Sequence, residues 1–237
     1  MTPAFATLSI LLVVGLVYWF PTRRWYRHWG ATAAEIGRTM PGDAEILHAN
    51  YETTLAVTVE APAAHLWPWL VQMGHRRGGL YSYDWLDRVF GFLDAPSADR
   101  ILPEFQRLDV GDVIPVGRGA GFPVKALEPF RTLLLGGESD GVQWTWDFGL
   151  YPVNERLTRL VSRSRARVPR TIGSTLFMCA LEPAAFIMTR RMLLGLKRRA
   201  EVAAARVPLD ACSVRREEAL VGRSIARRCA RARPGAR

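Results

Sequence analysis

Trp144, Trp146, Phe148 and Leu150 point to one side of an extended chain, and Gln143, Thr145 and Asp147 point to the other. That alternation is the signature of a β-strand with one buried face, and side chains this large require a second layer to cover them. The segment belongs to a series of five: Asp112–Val116, Phe122–Leu127, Thr132–Leu135, Val142–Leu150 and Leu157–Ala166. Glycine, proline and asparagine signals such as Gly117-Arg-Gly-Ala-Gly121 and Gly136-Gly137 join them over short spacings, which predicts an antiparallel sheet. On the last segment Leu160, Ser162, Ser164 and Ala166 share a face opposite Arg163, Arg165 and Arg167. An earlier strand is predicted over Thr54–Glu60, where Leu55, Val57 and Val59 alternate with polar and small residues.

The covering layer is expected to be helical. Ala63–Met73 carries Leu66, Trp67, Leu70 and Val71, with Pro68 kinking the helix or delaying its start. In the stretch from Gly78 to Gly91, two glycines are followed by Tyr81, Tyr83 and Trp85 at alternate positions, then by Leu86, Val89 and Phe90 at helical spacing. Two readings stand for this stretch. It is either an aromatic wall beside the Asp84 carboxylate, or a packed helix entry capped by Ser82 or Asp84. A C-terminal helical region runs from Thr171 to Ala205, and Pro183 after Glu182 marks a helix start there. Between residues 27 and 50 a linker holds one short helix, announced by the capping-box pattern Thr32-Ala-Ala-Glu35.

Residues 4–20 are uncharged and mostly apolar, and they end at Pro21 and a cluster of Arg23, Arg24 and Arg27. Seventeen residues reach the short limit of a membrane-spanning helix, with Trp19, Trp25 and Tyr26 available as an interfacial belt. Residues 1–28 are therefore expected to be a single-pass anchor in the cell membrane. The arginines after it place the main domain on the cytoplasmic side. A signal peptide or a buried core helix are the other readings.

The net charge is +10, of which the segment 206–237 supplies +6 through nine arginines against three acids. The basic character therefore belongs to that tail, expected to be disordered, and does not indicate a nucleic-acid-binding fold. Contact between the tail and anionic lipid is one reading, and a solvated tail is the other. Cys179, Cys212 and Cys229 form no framework of pairs, and the four histidines show no metal-ligand spacing, so no metal or cofactor is expected. Gly117–Gly121 lies between strands and opens no helix, so a hairpin is expected there and not a dinucleotide loop. His75-Arg-Arg-Gly-Gly79 reads either as an anion-binding loop or as a solvated one.

The order of elements, with Ala61-Pro62 followed by Leu66-Trp67-Pro68-Trp69-Leu70, resembles the START-like (SRPBCC) superfamily. Trp69-Leu-Val-Gln-Met-Gly74, Gly79-Leu-Tyr-Ser-Tyr-Asp-Trp85 and Met192-Leu-Leu-Gly-Leu-Lys-Arg-Arg199 are similar to an uncharacterised bacterial branch of it, and the likeness covers about residues 29–205. The resemblance implies an α+β helix-grip fold, in which a curved antiparallel sheet wraps a long C-terminal helix around an elongated apolar cavity. It leaves activity open, because the fold hosts lipid carriers and polyketide cyclases or dehydratases alike.

On that fold Tyr81, Tyr83, Trp85, Trp144, Trp146, Phe148, Phe186 and Met192 are the candidates to line the cavity, or else to fill the core themselves. A lipid or another hydrophobic small molecule is the expected ligand. A cyclase or dehydratase would need a cavity carboxylate, for which Asp84 and Asp99 are the candidates, with Tyr81 or Tyr83 as hydrogen-bond partners. A third reading is an interaction module with a filled pocket.

Overall fold

A computed structural model describes residues 3–117 and 119–206. Helices α1 (Pro3–Arg27), α2 (Ala33–Ile36) and α3 (Gly42–Glu45) precede strand β1 (Tyr51–Val59). Helices α4 (Ala63–Val71) and α5 (Asp84–Val89) follow. Next come β2 (Val113–Val116), β3 (Ala120–Glu128), β4 (Thr132–Ser139), β5 (Val142–Asn154) and β6 (Leu157–Arg167). Helix α6 (Ile172–Arg206) closes the described chain. The strands form one antiparallel sheet in the order β1-β6-β5-β4-β3-β2, so the meander β2–β6 is extended by β1 pairing with β6. This is the α+β helix-grip arrangement: the sheet lies against the long helix, with α4 beside it. The expected Arg-rich tail lies outside the described residues.

The alternation on β5 and β6 sorts side chains as the sequence predicts. Phe148, Leu150 and Leu160 enter the core beneath α6 together with Leu66, Leu70, Leu133, Leu135, Met192, Leu193 and Leu196. Burying one such side chain contributes about 1.5–3 kcal/mol. The other face holds the segment between α1 and β1. Arg163, only 3% exposed, donates to Thr54 Oγ1, to the Asp43 carboxylate at 2.8 Å and to the carbonyls of Glu35, Ile36 and Arg38. Arg159 pairs with Glu35 at 2.7 Å, and the Gly42 amide donates to Asp147 Oδ2 at 3.0 Å. Burial pushes the Asp147 carboxyl up, against the hydrogen bonds from Gly42 and Thr132. The Thr32–Glu35 capping box is present, and its Glu35 is the residue that Arg159 holds.

Three expectations need correction. α6 begins at Ile172, eleven positions before Pro183, so the proline lies inside the helix and not in its first turn. Thr171 caps the true start by accepting from the Ser174 amide. Pro183 supplies no N–H to the Cys179 carbonyl, a loss that an otherwise continuous helix tolerates. At α5 the cap residue is Tyr83, without a side-chain cap bond, and Asp84 is the first helical residue. Of the arginines in His75–Gly79 only Arg77 is used internally, on the carbonyls of Val71, Met73 and Phe105, whereas Arg76 is solvated in a surface pair with Asp94.

α6 changes character along its length. Met192, Leu193, Leu196 and Ala200 in its second half are buried, and Gly195 lets it approach the turn before α5. A Cβ at Gly195 would stand 2.3 Å from the Tyr81 carbonyl oxygen. In the first half Ile172, Leu176 and Phe177 are exposed. By length and composition α6 could cross a membrane, and it is equally compatible with a helix packed on a soluble domain.

Candidate functional site: an apolar cavity at one end of the sheet

The sheet and α6 do not meet along their whole length. At the end where β1 and β5 begin and β6 finishes, a partly open cavity of about 520 Å³ remains between them. Phe122, Trp144 and Trp146 supply its sheet wall, and Phe177, Met178 and Leu181 supply the helix wall. The sheet wall is tied together by ring contacts and one hydrogen bond. Phe122 meets Trp144 and Trp146 edge to face at 5.2 and 5.5 Å, Trp146 packs on Phe148 at 4.9 Å, and the indole N–H of Trp146 donates to Ser162 Oγ at 2.9 Å. The bond to Ser162 satisfies the indole N–H, so no unpaired donor stands in the wall on its account. The titratable side chain facing the cavity is Tyr51; Arg165 borders it along β6, but its guanidinium turns to the opposite face, onto Asp43 and Glu52. Burial pushes the Tyr51 phenol up, so it stays neutral at physiological pH.

Two of the eight candidate lining residues, Trp144 and Trp146, stand in this wall. Phe148 is buried behind Trp146, and Tyr81 and Met192 are buried elsewhere in the core. Tyr81 accepts from Gln72 Nε2 at 3.0 Å, and burial pushes its phenol up. Phe186 meets Trp25 edge to face and Tyr26 at a tilt, Tyr83 lies under the Arg191 guanidinium, and Trp85 is exposed on α5. Starting the helix at Pro183 hid Phe177, Met178 and Leu181. Their signal was present in the sequence as helical spacing running back to Thr171.

The structure places Asp84 and Asp99 away from this cavity. Asp84 accepts from Ser97 Oγ at 2.6 Å, and Ser97 Oγ also takes the Tyr81 amide, so the carboxylate ties the α5 entry to the loop after it. Asp99 is exposed in a second groove of about 620 Å³, between α4 and the C-terminal part of α6, with Arg100, Arg198, Arg199 and Arg206.

Sequence reasoning passed over another carboxyl group. Asp87 on α5 is fully buried, and neither of its oxygens has a hydrogen-bond partner. Burial, reinforced by the Asp84 charge, pushes it up to about 6. An unfolded aspartate titrates near 4, so the folded chain holds the extra proton between about 4 and 6. Stability from this group is complete below that window, falls as pH rises through it, and stays lowered above it. Asp87→Asn is expected to raise the melting temperature at pH 8 and to change it little at pH 4. Two pKa units correspond to at most about 3 kcal/mol. Equal shifts at both pH values in thermal melts would contradict this account.

No family model matches the chain, and no curated protein matches it. Among solved structures it is similar to the Zhui aromatase/cyclase from Streptomyces sp. R1128, at 16% identity and a TM-score of 0.40, over 64% of this chain and 93% of that one. DynU16, a protein of the dynemicin biosynthetic locus, matches at 17% identity and a TM-score of 0.37, over 62% of this chain and 47% of that chain. The di-domain aromatase/cyclase BexL of the BE-7585A pathway matches at 15% and 0.37, over 64% of this chain and 46% of that one. This chain therefore spans about half the length of two of the three. These likenesses concern architecture and not activity.

Proposed function

We propose that the domain formed by residues 29–205 binds a hydrophobic small molecule or lipid in the cavity between β5 and the first half of α6, and that residues 1–28 tether it to the cytoplasmic face of the cell membrane. The observation that carries this reading is the cavity wall itself. Aromatic rings from two strands face apolar side chains of one helix across about 520 Å³, a size suited to an acyl, isoprenoid or polyketide-like ligand. The tether rests on α1, a helix that includes the uncharged run 4–20 and exposes Phe5, Ile10, Val13 and Phe20. The arginines of the segment 206–237 would add attraction to anionic headgroups.

Carriage is better supported than cyclase or dehydratase chemistry. A neutral phenol is a poor general base at neutral pH, the Arg165 guanidinium is held on the other face of the sheet, and Asp84 and Asp99 stand elsewhere. A filled interaction module is not favoured by an end cavity that two indoles wall.

Trp144→Ala should weaken binding of a hydrophobic fluorophore such as Nile red by tenfold or more, about 1.4 kcal/mol. Trp144 is only half-buried, so the melting temperature should fall by no more than a few degrees. Fluorescence titration and a thermal melt of the same samples check this. Unchanged affinity, or outright unfolding, would return Trp144 to the core.

A further inference from the structure

The outer wall of the cavity is also an exposed apolar surface. Phe177 and Leu181 line the cavity yet remain open to the outside, and beside them Ile172 and Leu176 are 83% and 66% exposed without lining it. α1 joins the domain at this same end. Arg23 and Tyr26 bond to Glu182, one position past Leu181, and Trp25 packs on Phe186, one position past the lining residue Ala185. Arg27 stands over the ring of Tyr51, itself a lining residue. Beside the mouth at Val168, Arg167 and Arg170 are exposed.

Large apolar side chains massed at one edge and flanked by arginines are what a protein presents to the lipid–water boundary. A water-facing portal would gain nothing from Ile172 and Leu176. A second copy of the chain is a weaker occupant, because the flanking arginines of two copies would repel one another, whereas anionic headgroups complement them. We infer that the cavity mouth rests on the bilayer and that the ligand is a membrane-resident lipid chain entering sideways past Phe177 and Leu181. This rests on the binding reading above and adds the source of the ligand and its route.

The test uses the full chain in phosphatidylcholine/phosphatidylglycerol vesicles with a phospholipid bearing a diazirine on its acyl chain. After photolysis, labelled peptides are mapped by mass spectrometry. A parallel sample receives a short diazirine fatty acid from water instead. The lipid probe should label the peptide holding Trp144 and Trp146. Ile172→Asp combined with Leu176→Asp should cut that labelling tenfold or more and leave labelling by the fatty acid unchanged, because neither residue lines the cavity. Fatty-acid labelling without lipid labelling, or lipid labelling indifferent to the two substitutions, would overturn the route and leave the binding reading standing. The same holds if residues 172–181 cross-link to a second copy and not to lipid. Labelling by neither probe would overturn both.

Discussion

Arg163→Ala should destabilise the domain by about 3–5 kcal/mol, the range for removing one partner from a buried, hydrogen-bonded ion pair. The guanidinium is almost sealed from water and reaches five acceptors on three separate pieces of chain: β1, the end of α2 and Asp43. Its loss leaves the Ile36 carbonyl without its side-chain donor and Asp43 with Arg165 as its remaining cation, while the Glu35 carbonyl keeps the Arg38 amide. Such groups cost about 1–3 kcal/mol each when they cannot find water. Arg163→Lys should recover less than half of the loss, because one ammonium cannot span the fork that the guanidinium fills. Thermal or urea unfolding of the solubilised chain, followed by tryptophan fluorescence, reads the effect. A loss below about 1 kcal/mol would mean that the segment between α1 and β1 is held on the sheet by something else.

The second large effect is expected at Glu182. Its buried carboxylate takes Arg23 Nε at 2.7 Å and the Tyr26 hydroxyl at 3.0 Å, and it also pairs with Arg27. These bonds join α1 to α6 at the boundary between the exposed and buried halves of α6. Glu182→Ala should cost about 3 kcal/mol, the lower end of the range for a broken buried pair. The arginine side chains are still 30% and 23% exposed and can reach water. Because Leu181 and Ala185 flank the pair and line the cavity, the same variant should lose apolar ligand several-fold faster, whereas Arg163→Ala should affect ligand only through unfolding. Dissociation rates of a fluorescent ligand separate the two variants. Equal rates in Glu182→Ala and wild type would disconnect the tether from the cavity.

Much of this was legible in the sequence, and the reasons differ by element. The sheet announced itself because period-two alternation is a direct consequence of strand geometry, and Trp144 to Leu150 could face only a covering layer. The opposite row, Arg163 and Arg165, showed as polar but not as buried. Only the three-dimensional return of residues 32–45 over that face reveals what those arginines hold. α6 was truncated because Pro183 is a strong local breaker signal, and tertiary packing with a capped start at Thr171 overrode it. That single shift moved the helix wall of the cavity from Phe186 and Met192 back to Phe177, Met178 and Leu181. Asp87 was missed because an aspartate in the first turn of a short helix ordinarily faces water, and its burial without a partner is a property of the assembled fold alone.

The most direct measurement of the central claim is native mass spectrometry of the full chain released from mild detergent, with extraction and identification of whatever leaves it. The account predicts one apolar molecule per chain, retained by wild type and largely absent from Trp144→Ala. A chain that arrives empty, and stays empty after exposure to a panel of lipids and polyketide-like compounds, would contradict it.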